Sequence, residues 1–136
     1  MVDHLTPERR SSNMRRIRSR DTAPEMVVRR AVHGMGFRYR LHVRDLPGKP
    51  DLVFPRLRSV IQVQGCFWHQ HPNCVDCHIP KTGAAYWKPK LDRNCERDKA
   101  TQAALKKAGW RVLIVWECET RNPAKLGRKL AGFLSR

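Results

Sequence analysis

The first stretch with a clear period is DTAPEMVVRRAVHGMG, where Val27, Val28, Ala31, Val32 and Met35 recur at helical spacing and draw one apolar stripe. Thr22 followed three residues later by Glu25 is a capping-box pattern, Pro24 suits a first turn, and Gly34 or Gly36 ends the helix. FRYRLH (37–42) alternates and predicts a strand, and LPGKP (46–50) predicts a turn. DLVF (51–54) and SVIQVQ (59–64) are short apolar runs joined by PRLR, which predicts an antiparallel hairpin. From 65 to 86 no period holds, so this is a long loop, and loops of that length are seldom idle. A helix is predicted from about Pro89 to Ala108, stopped by Gly109. RVLIVWE (111–117) is apolar without a break and predicts a central strand buried on both faces. Asn122-Pro123 caps a last helix that runs nearly to Arg136. The order α-β-β-β-α-β-α predicts an α/β fold, a mixed sheet flanked by helices, in one domain over residues 21–136. A basic arm, residues 1–20, precedes it.

Composition adds a partner. The chain has 136 residues, enough for one hydrophobic core, and 28 Lys+Arg against 12 Asp+Glu, a formal charge of +16. Such an imbalance repels itself in a compact state, and its use is attraction to a polyanion, nucleic acid first. The arm carries Arg15 and Arg16 among six arginines and is expected to order on phosphates. No apolar run approaches the ~18–20 residues of a membrane span. MVDHLTPERR lacks the apolar stretch of a signal peptide. The expectation is a cytoplasmic, DNA-associated protein with no membrane partner, monomeric by default. Reduced cysteines in that compartment hold metal more often than they form disulfides.

The loop opens with GCFWHQHPNC (65–74), where cysteine, histidine and aromatic residues crowd together. A structural zinc site wants four nitrogen or sulfur ligands. Cys66, His71 and Cys74 lie on the loop, and Cys118, just past the last strand, can close the set. Two alternatives stand: Cys77, which makes a CxxC with Cys74, and His69 in place of His71. If free of zinc, His69 has the titration range of a general base at neutral pH. Phe67, Trp68 and Trp87 read as loop aromatics among Lys81, Lys88 and Lys90, suited to stacking on or wedging between bases. Cys95, Trp110 and Trp116 read as core residues.

Asp51 opens a strand, and its neighbour carries Gln62 and Gln64 on one face with Ile61 and Val63 on the other. An acid facing polar side chains across a hairpin is the layout of PD-(D/E)xK nucleases, which use Mg²⁺. Here the second acid and the lysine positions hold neutral glutamines. Glu25 caps its helix and can also contact water on a metal.

Taken together, RSSNMRRIRSRDTAPE, LPGKPDLVF, GCFWH, PKT…YW, NCERD and GWRVLIVWEC run in order over residues 10 to 118. On these segments the chain resembles the very short patch repair (Vsr) DNA mismatch endonuclease family. The resemblance implies a restriction-endonuclease-like fold with a structural zinc loop. It also implies Mg²⁺-dependent nicking of double-stranded DNA 5′ of the T in a T:G mismatch, the product of 5-methylcytosine deamination. Asp51 and the main-chain carbonyl of Val63 would hold Mg²⁺, His69 would be the general base, and Glu25 would position water. Cys66, His71, Cys74 and Cys118 fall on the zinc ligands, and Phe67, Trp68 and Trp87 on the intercalating aromatics. Arg15, Arg16 and Lys90 are expected to contact the DNA backbone. Implied partners are a cognate cytosine methyltransferase and mismatch-repair proteins. Gln64 departs from the His or Asp common in relatives and cannot change protonation at neutral pH, which leaves its catalytic part open. The rival readings are a related restriction-like nuclease and a zinc-stabilised DNA-binding module without catalysis.

Overall fold

The computed structural model describes residues 22–74, 79 and 82–135. Arg15, Arg16 and the rest of the arm, with Cys77 and Lys81, lie outside the described residues.

Helix α1 (Ala23–Gly34) starts where the capping pattern placed it: the Thr22 hydroxyl accepts from the Glu25 N–H at 3.4 Å, with Pro24 in the first turn. Its stripe turns Val28 and Val32 fully into the core. The sheet has four strands in the order β1 (Arg40–Leu41), β2 (Leu52–Phe54), β3 (Ser59–Gln64), β4 (Arg111–Trp116). The expected hairpin is present, with Leu52 opposite Ile61 and Phe54 opposite Ser59. A 3-10 turn (Pro55–Leu57) and left-handed Arg58 reverse the chain. Of FRYRLH only Arg40 and Leu41 join the ladder, against Val53 and Leu52.

Two expectations are corrected. RVLIVWE does not give the central strand: among the described residues β4 pairs with β3 alone, in parallel, and ends the sheet. β3, which lies between β2 and β4, is the more deeply buried of the two. A continuous apolar run reports that both faces are covered, and for β4 they are. Val115 joins the core on one face and Val112 on the other. Covered faces say nothing about how many neighbours a strand has. The second correction concerns α2 (Ala84–Lys107), which begins a full turn before Pro89. Proline usually sits at a helix start because its ring and missing N–H disrupt a helix interior. Here Tyr86 and Trp87 pack against other rings and carry the helix past that obstacle. Trp87 is therefore a helix residue, not a loop residue.

Asn122 caps α3 (Pro123–Leu134) by accepting from the Lys125 N–H at 3.2 Å. Its Leu126, Leu130 and Leu134 form one buried stripe. These three leucines join Val28, Val32, Leu52, Phe54, Ile61 and Val115 on one face of the sheet. On the other face α2 contributes Leu105, packed on Val53 and Val60. The architecture is a mixed sheet between helices, with the loop after β3 and the ends of β2 and β4 left to build a site. No helix among the described residues is long and apolar enough to cross a membrane.

Gly48, in the turn before β2, has φ +71°, and a Cβ there would overlap Thr101 Cγ2 on α2. Gly132, inside α3, would meet nothing within 4 Å. Gly48→Ala is therefore expected to lower stability by about 1–3 kcal/mol, from strain and overlap together. Gly132→Ala is expected to raise it by roughly 0.5–1 kcal/mol. Urea midpoints at unchanged slope check both.

Candidate active site and metal centre

After Gly65 the chain winds into tight turns. The His69 N–H donates to Gly65 O at 3.1 Å, and the His71 N–H to Cys66 O at 2.9 Å. This coiling buries Cys66 completely and brings its Sγ within 3.7 Å of His71 Nδ1. Cys118 Sγ reaches the same nitrogen at 3.5 Å, and the Cys118 N–H points at Cys66 Sγ from 3.4 Å. One ligand atom from each of Cys66, His71, Cys74 and Cys118 falls within 4.8 Å of all the others, so these four residues could hold a metal ion. Burial pushes the Cys66 thiol up to about 12, with the neighbouring thiols of Cys118 and Cys74 adding to it and the Cys118 N–H opposing. A bound cation would reverse that balance by favouring thiolate.

The far side of the cluster is held by the sheet. Cys118 sits in a 3-10 turn (Glu117–Arg121) directly after β4. Glu119 in that turn accepts from the Trp116 N–H at 2.9 Å and from Lys129 Nζ on α3 at 2.7 Å. Lys129 also donates to Ile114 O on β4 at 2.9 Å. Trp116, read from sequence as core, is instead the platform on which the His71 ring stacks, at 4.2 Å and 14°.

His69 lies outside that cluster. Its Nδ1 is 2.5 Å from Asp98 Oδ2, on α2. A carboxylate on Nδ1 fixes the tautomer and leaves Nε2 with its lone pair, the arrangement of an oriented base. Asp98 was missed at the sequence level, although it closes the NCERD segment. The neighbouring turn of the same helix grips the loop as well. Asn94 Nδ2 donates to Trp68 O at 3.1 Å, and the Cys95 thiol to His69 O at 3.6 Å. Cys95 is thus a half-buried strap on the loop rather than a core residue.

A second centre lies where β2 begins. Asp51 Oδ2 accepts from the Val63 N–H at 2.7 Å, replacing the next backbone rung of the β2–β3 ladder. The N–H and C=O of one residue in a strand project to the same edge, so the Val63 carbonyl shares that edge with Asp51. Glu25 is buried beside it, and ligand atoms of Glu25, His42 and Asp51 all lie within 4.8 Å of one another. Burial raises the Asp51 carboxyl to about 7. The Val63 N–H works against the rise, and the nearby Glu25 carboxylate adds to it. Arg29 contacts both Glu25 and His42, at 3.3 and 3.0 Å. His42 and Arg29 were not singled out from sequence. Gln64 is buried at the end of β3, opposite Trp116.

The aromatics form one surface. Phe67, Trp68 and Trp87 meet edge to face in a triangle, with ring centroids 5.3, 5.4 and 5.7 Å apart. Tyr86, not expected from sequence, extends it at 5.0 Å from Trp87. Lys90 Nζ lies 4.2 Å above the Tyr86 ring and donates to its hydroxyl at 2.9 Å.

Comparison with known proteins gives a consistent result. The family described as DNA mismatch endonuclease Vsr matches residues 2–76. The type II nicking enzyme V.XorIIP of Xanthomonas oryzae pv. oryzae is 47% identical over 134 residues, covering 98% of each chain. The DNA mismatch endonuclease Vsr of Escherichia coli K12 is 43% identical over 126 residues, 93% of this chain and 80% of the relative. The type II nicking enzyme V.NmeAIP of Neisseria meningitidis serogroup A is 42% identical over 124 residues, 91% and 88% of the two chains.

The Asp51 carboxyl rises from an ordinary 3.8 to about 7, so between those values the folded chain holds a proton that the unfolded chain releases. Stability without added divalent cation should therefore fall as pH rises from about 4 to about 7, then level. Asp51→Asn should lack that component, visible as converging urea midpoints at low pH and a more stable variant at neutral pH.

Proposed function

The chain belongs to the Vsr family of DNA mismatch endonucleases, and on that premise we propose that it nicks double-stranded DNA on the 5′ side of the T in a T:G mismatch. The observation that carries this reading is that an oriented base and an aromatic surface share one short turn. Phe67 and Trp68 immediately precede His69, and Asp98 holds the His69 ring. A group that reads a distorted base step and a group that attacks a phosphate are thereby delivered together.

The donor chemistry at each centre fits a different ion. At the β2–β3 junction the donors are the Asp51 carboxylate and the Val63 carbonyl, with Glu25 beside them, a hard oxygen set suited to Mg²⁺. Two carboxylates side by side, one of them buried, also favour a cation between them, and Glu25 adds to the rise that burial gives the Asp51 carboxyl. Mg²⁺ bound there supplies charge neutralisation at the scissile phosphate. At the other centre, three thiols and one imidazole make a soft set. Tetrahedral zinc with ordinary bond lengths separates a sulfur from a nitrogen ligand by about 3.5 Å. The separations of 3.7 and 3.5 Å about His71 Nδ1 match. Zinc there is structural, because all four positions are filled by protein.

The residues then divide the work. His69 Nε2 takes the proton of the attacking water, and Asp98 holds the ring and stabilises its cationic form. Glu25 positions water at the acidic centre. Phe67, Trp68 and Trp87 enter the helix beside the mismatch, where unstacking costs least because the pair is already weak. Arg15 and Arg16 of the basic arm, with Lys90 beside the aromatic surface, neutralise phosphates. A mixed sheet with an acid at a strand start, flanked by helices, supports a restriction-endonuclease-like fold. A T:G substrate born from 5-methylcytosine places a cytosine methyltransferase upstream and repair synthesis downstream, on DNA in the bacterial cytoplasm.

A duplex with one T:G pair and its T:A control, incubated with Mg²⁺, tests the reading. Nicking is expected only in the mismatched strand that carries T, and is lost in Asp51→Asn and His69→Ala. Equal cutting of both duplexes would point to another nuclease, and tight binding without cutting to a DNA-binding module. Asp98→Asn should reduce turnover by about 10²-fold or more, with mismatch affinity retained. Stripping the zinc, or Cys118→Ser, should lower the thermal midpoint by roughly 10 °C or more, because the metal closes the loop onto the sheet.

A further inference from the structure

Every carbonyl from Gly65 to His69 accepts a hydrogen bond, and the donors come from three places. The main chain holds two carbonyls, with the His69 N–H on Gly65 O and the His71 N–H on Cys66 O. Helix α2 holds two more, with Asn94 Nδ2 on Trp68 O and the Cys95 thiol on His69 O. The Phe67 carbonyl lies between these pairs. Among the described residues both of its donors belong to Gln70: the side-chain Nε2 at 2.6 Å and the main-chain N–H at 3.3 Å. A carbonyl only accepts, so the NH₂ end of the Gln70 amide faces it. Gln70 is left-handed, at φ +49°, a conformation unfavourable for a residue with a Cβ. With that twist the side chain and the N–H of one residue meet the same oxygen. This carbonyl belongs to the rigid peptide plane that joins Phe67 to Trp68, so holding it restricts how the two rings leave the chain. Without the amide, one backbone bond of 3.3 Å would remain, long for N–H···O.

We propose that Gln70 is a specificity-determining residue, whose amide holds the Phe67–Trp68 peptide and so presets the aromatic surface for entry beside the mismatch. The inference rests on the T:G reading given above. Its physical content is preorganisation. Rings that must be ordered as they enter a base step spend part of the binding free energy on that ordering, and rings already held do not. Binding to phosphates does not use the rings, so affinity for matched DNA is indifferent to the amide. The His69 ring is held separately, by Asp98. Gln70 therefore governs how well the mismatch is told from a matched pair, and leaves the rate of the bound complex alone. It is a positioning residue, because it acts on DNA through the two rings.

The test uses the zinc-loaded full chain and two fluorescent duplexes, one with a single T:G pair and its T:A control. Affinity is read by anisotropy without divalent cation, and the nicking rate by single turnover with Mg²⁺ at saturating protein. Gln70→Met keeps the length of the side chain and removes the donor. Gln70→Glu also lacks a donor at neutral pH, and its charge guards against misfolding of the turn. Both should lower the preference for T:G over T:A binding about three- to tenfold, the worth of one hydrogen bond. The saturated rate on T:G should stay within about threefold of wild type, and thermal midpoints within about 5 °C. Gln70→Lys, which can donate again, should return the preference towards wild type. An unchanged preference in both donor-free variants would overturn the proposal. A saturated rate that falls as far as the preference would also overturn it, by making the amide a support of the whole turn. The wild-type chain separates the two claims. If it binds and cuts both duplexes equally, the T:G reading fails and the proposal with it. If it prefers T:G and both donor-free variants do so equally well, only the role of Gln70 fails.

Discussion

The turn that follows β3 has little apolar surface of its own, and the site exists because polar contacts hold that turn from two sides. On one side Cys66 and His71 converge with Cys74 on Cys118, beyond the end of β4. On the other, Asn94, Cys95 and Asp98 of α2 hold the carbonyls of Trp68 and His69 and the His69 ring. Release either side and the His69 ring, the aromatic surface and the sheet lose their fixed relation. The Glu119–Lys129 pair belongs to the same frame, since it ties the Cys118 turn to α3. A partly buried ion pair with a second hydrogen bond to Ile114 O holds position better than an exposed one.

The end of β3 connects two centres of opposite character. Val63 faces the acidic centre through its main chain, and Cys66, three residues on, belongs to the thiol cluster. Softness of ligand and number of open positions would sort ions between them, because a thiolate set discriminates against Mg²⁺ and an oxygen set does not favour zinc. Gln64 separates the two and, being neutral, adds charge to neither.

Much of this was legible in the chain. The Thr22 cap, the hairpin from Leu52 to Gln64 and the leucine stripe of α3 are local, and local chemistry determines them. The thiol cluster spans 66 to 118, yet cysteine and histidine are few enough for their positions to stand out, and the structure brings Cys74 into the set. His69 and His71, ambiguous by spacing, are separated only by what lies across from each, Asp98 and Trp116. Position within a sheet is a different kind of fact. The composition of β4 reports covered faces, not a missing neighbour. The start of α2 was hidden because Pro89 signals a boundary that aromatic packing overrides. Asp98, Arg29 and His42 were invisible for a simpler reason: aspartate, arginine and histidine on a surface-like pattern are common, and only three-dimensional pairing distinguishes these.

One consequence lies in the order Phe67, Trp68, His69. The three share a single tightly wound turn held at one end by Cys66 and at the other by the contacts of α2. On the proposed reading, a force that a base step exerted on the rings would be passed to the imidazole as displacement, as along a short lever. A stiff, well-paired step would push back and move the imidazole off target, whereas a yielding one would let it settle. Fidelity in such a device would reside in the stiffness of the duplex, sensed through one turn, and a more compliant turn would trade selectivity for speed.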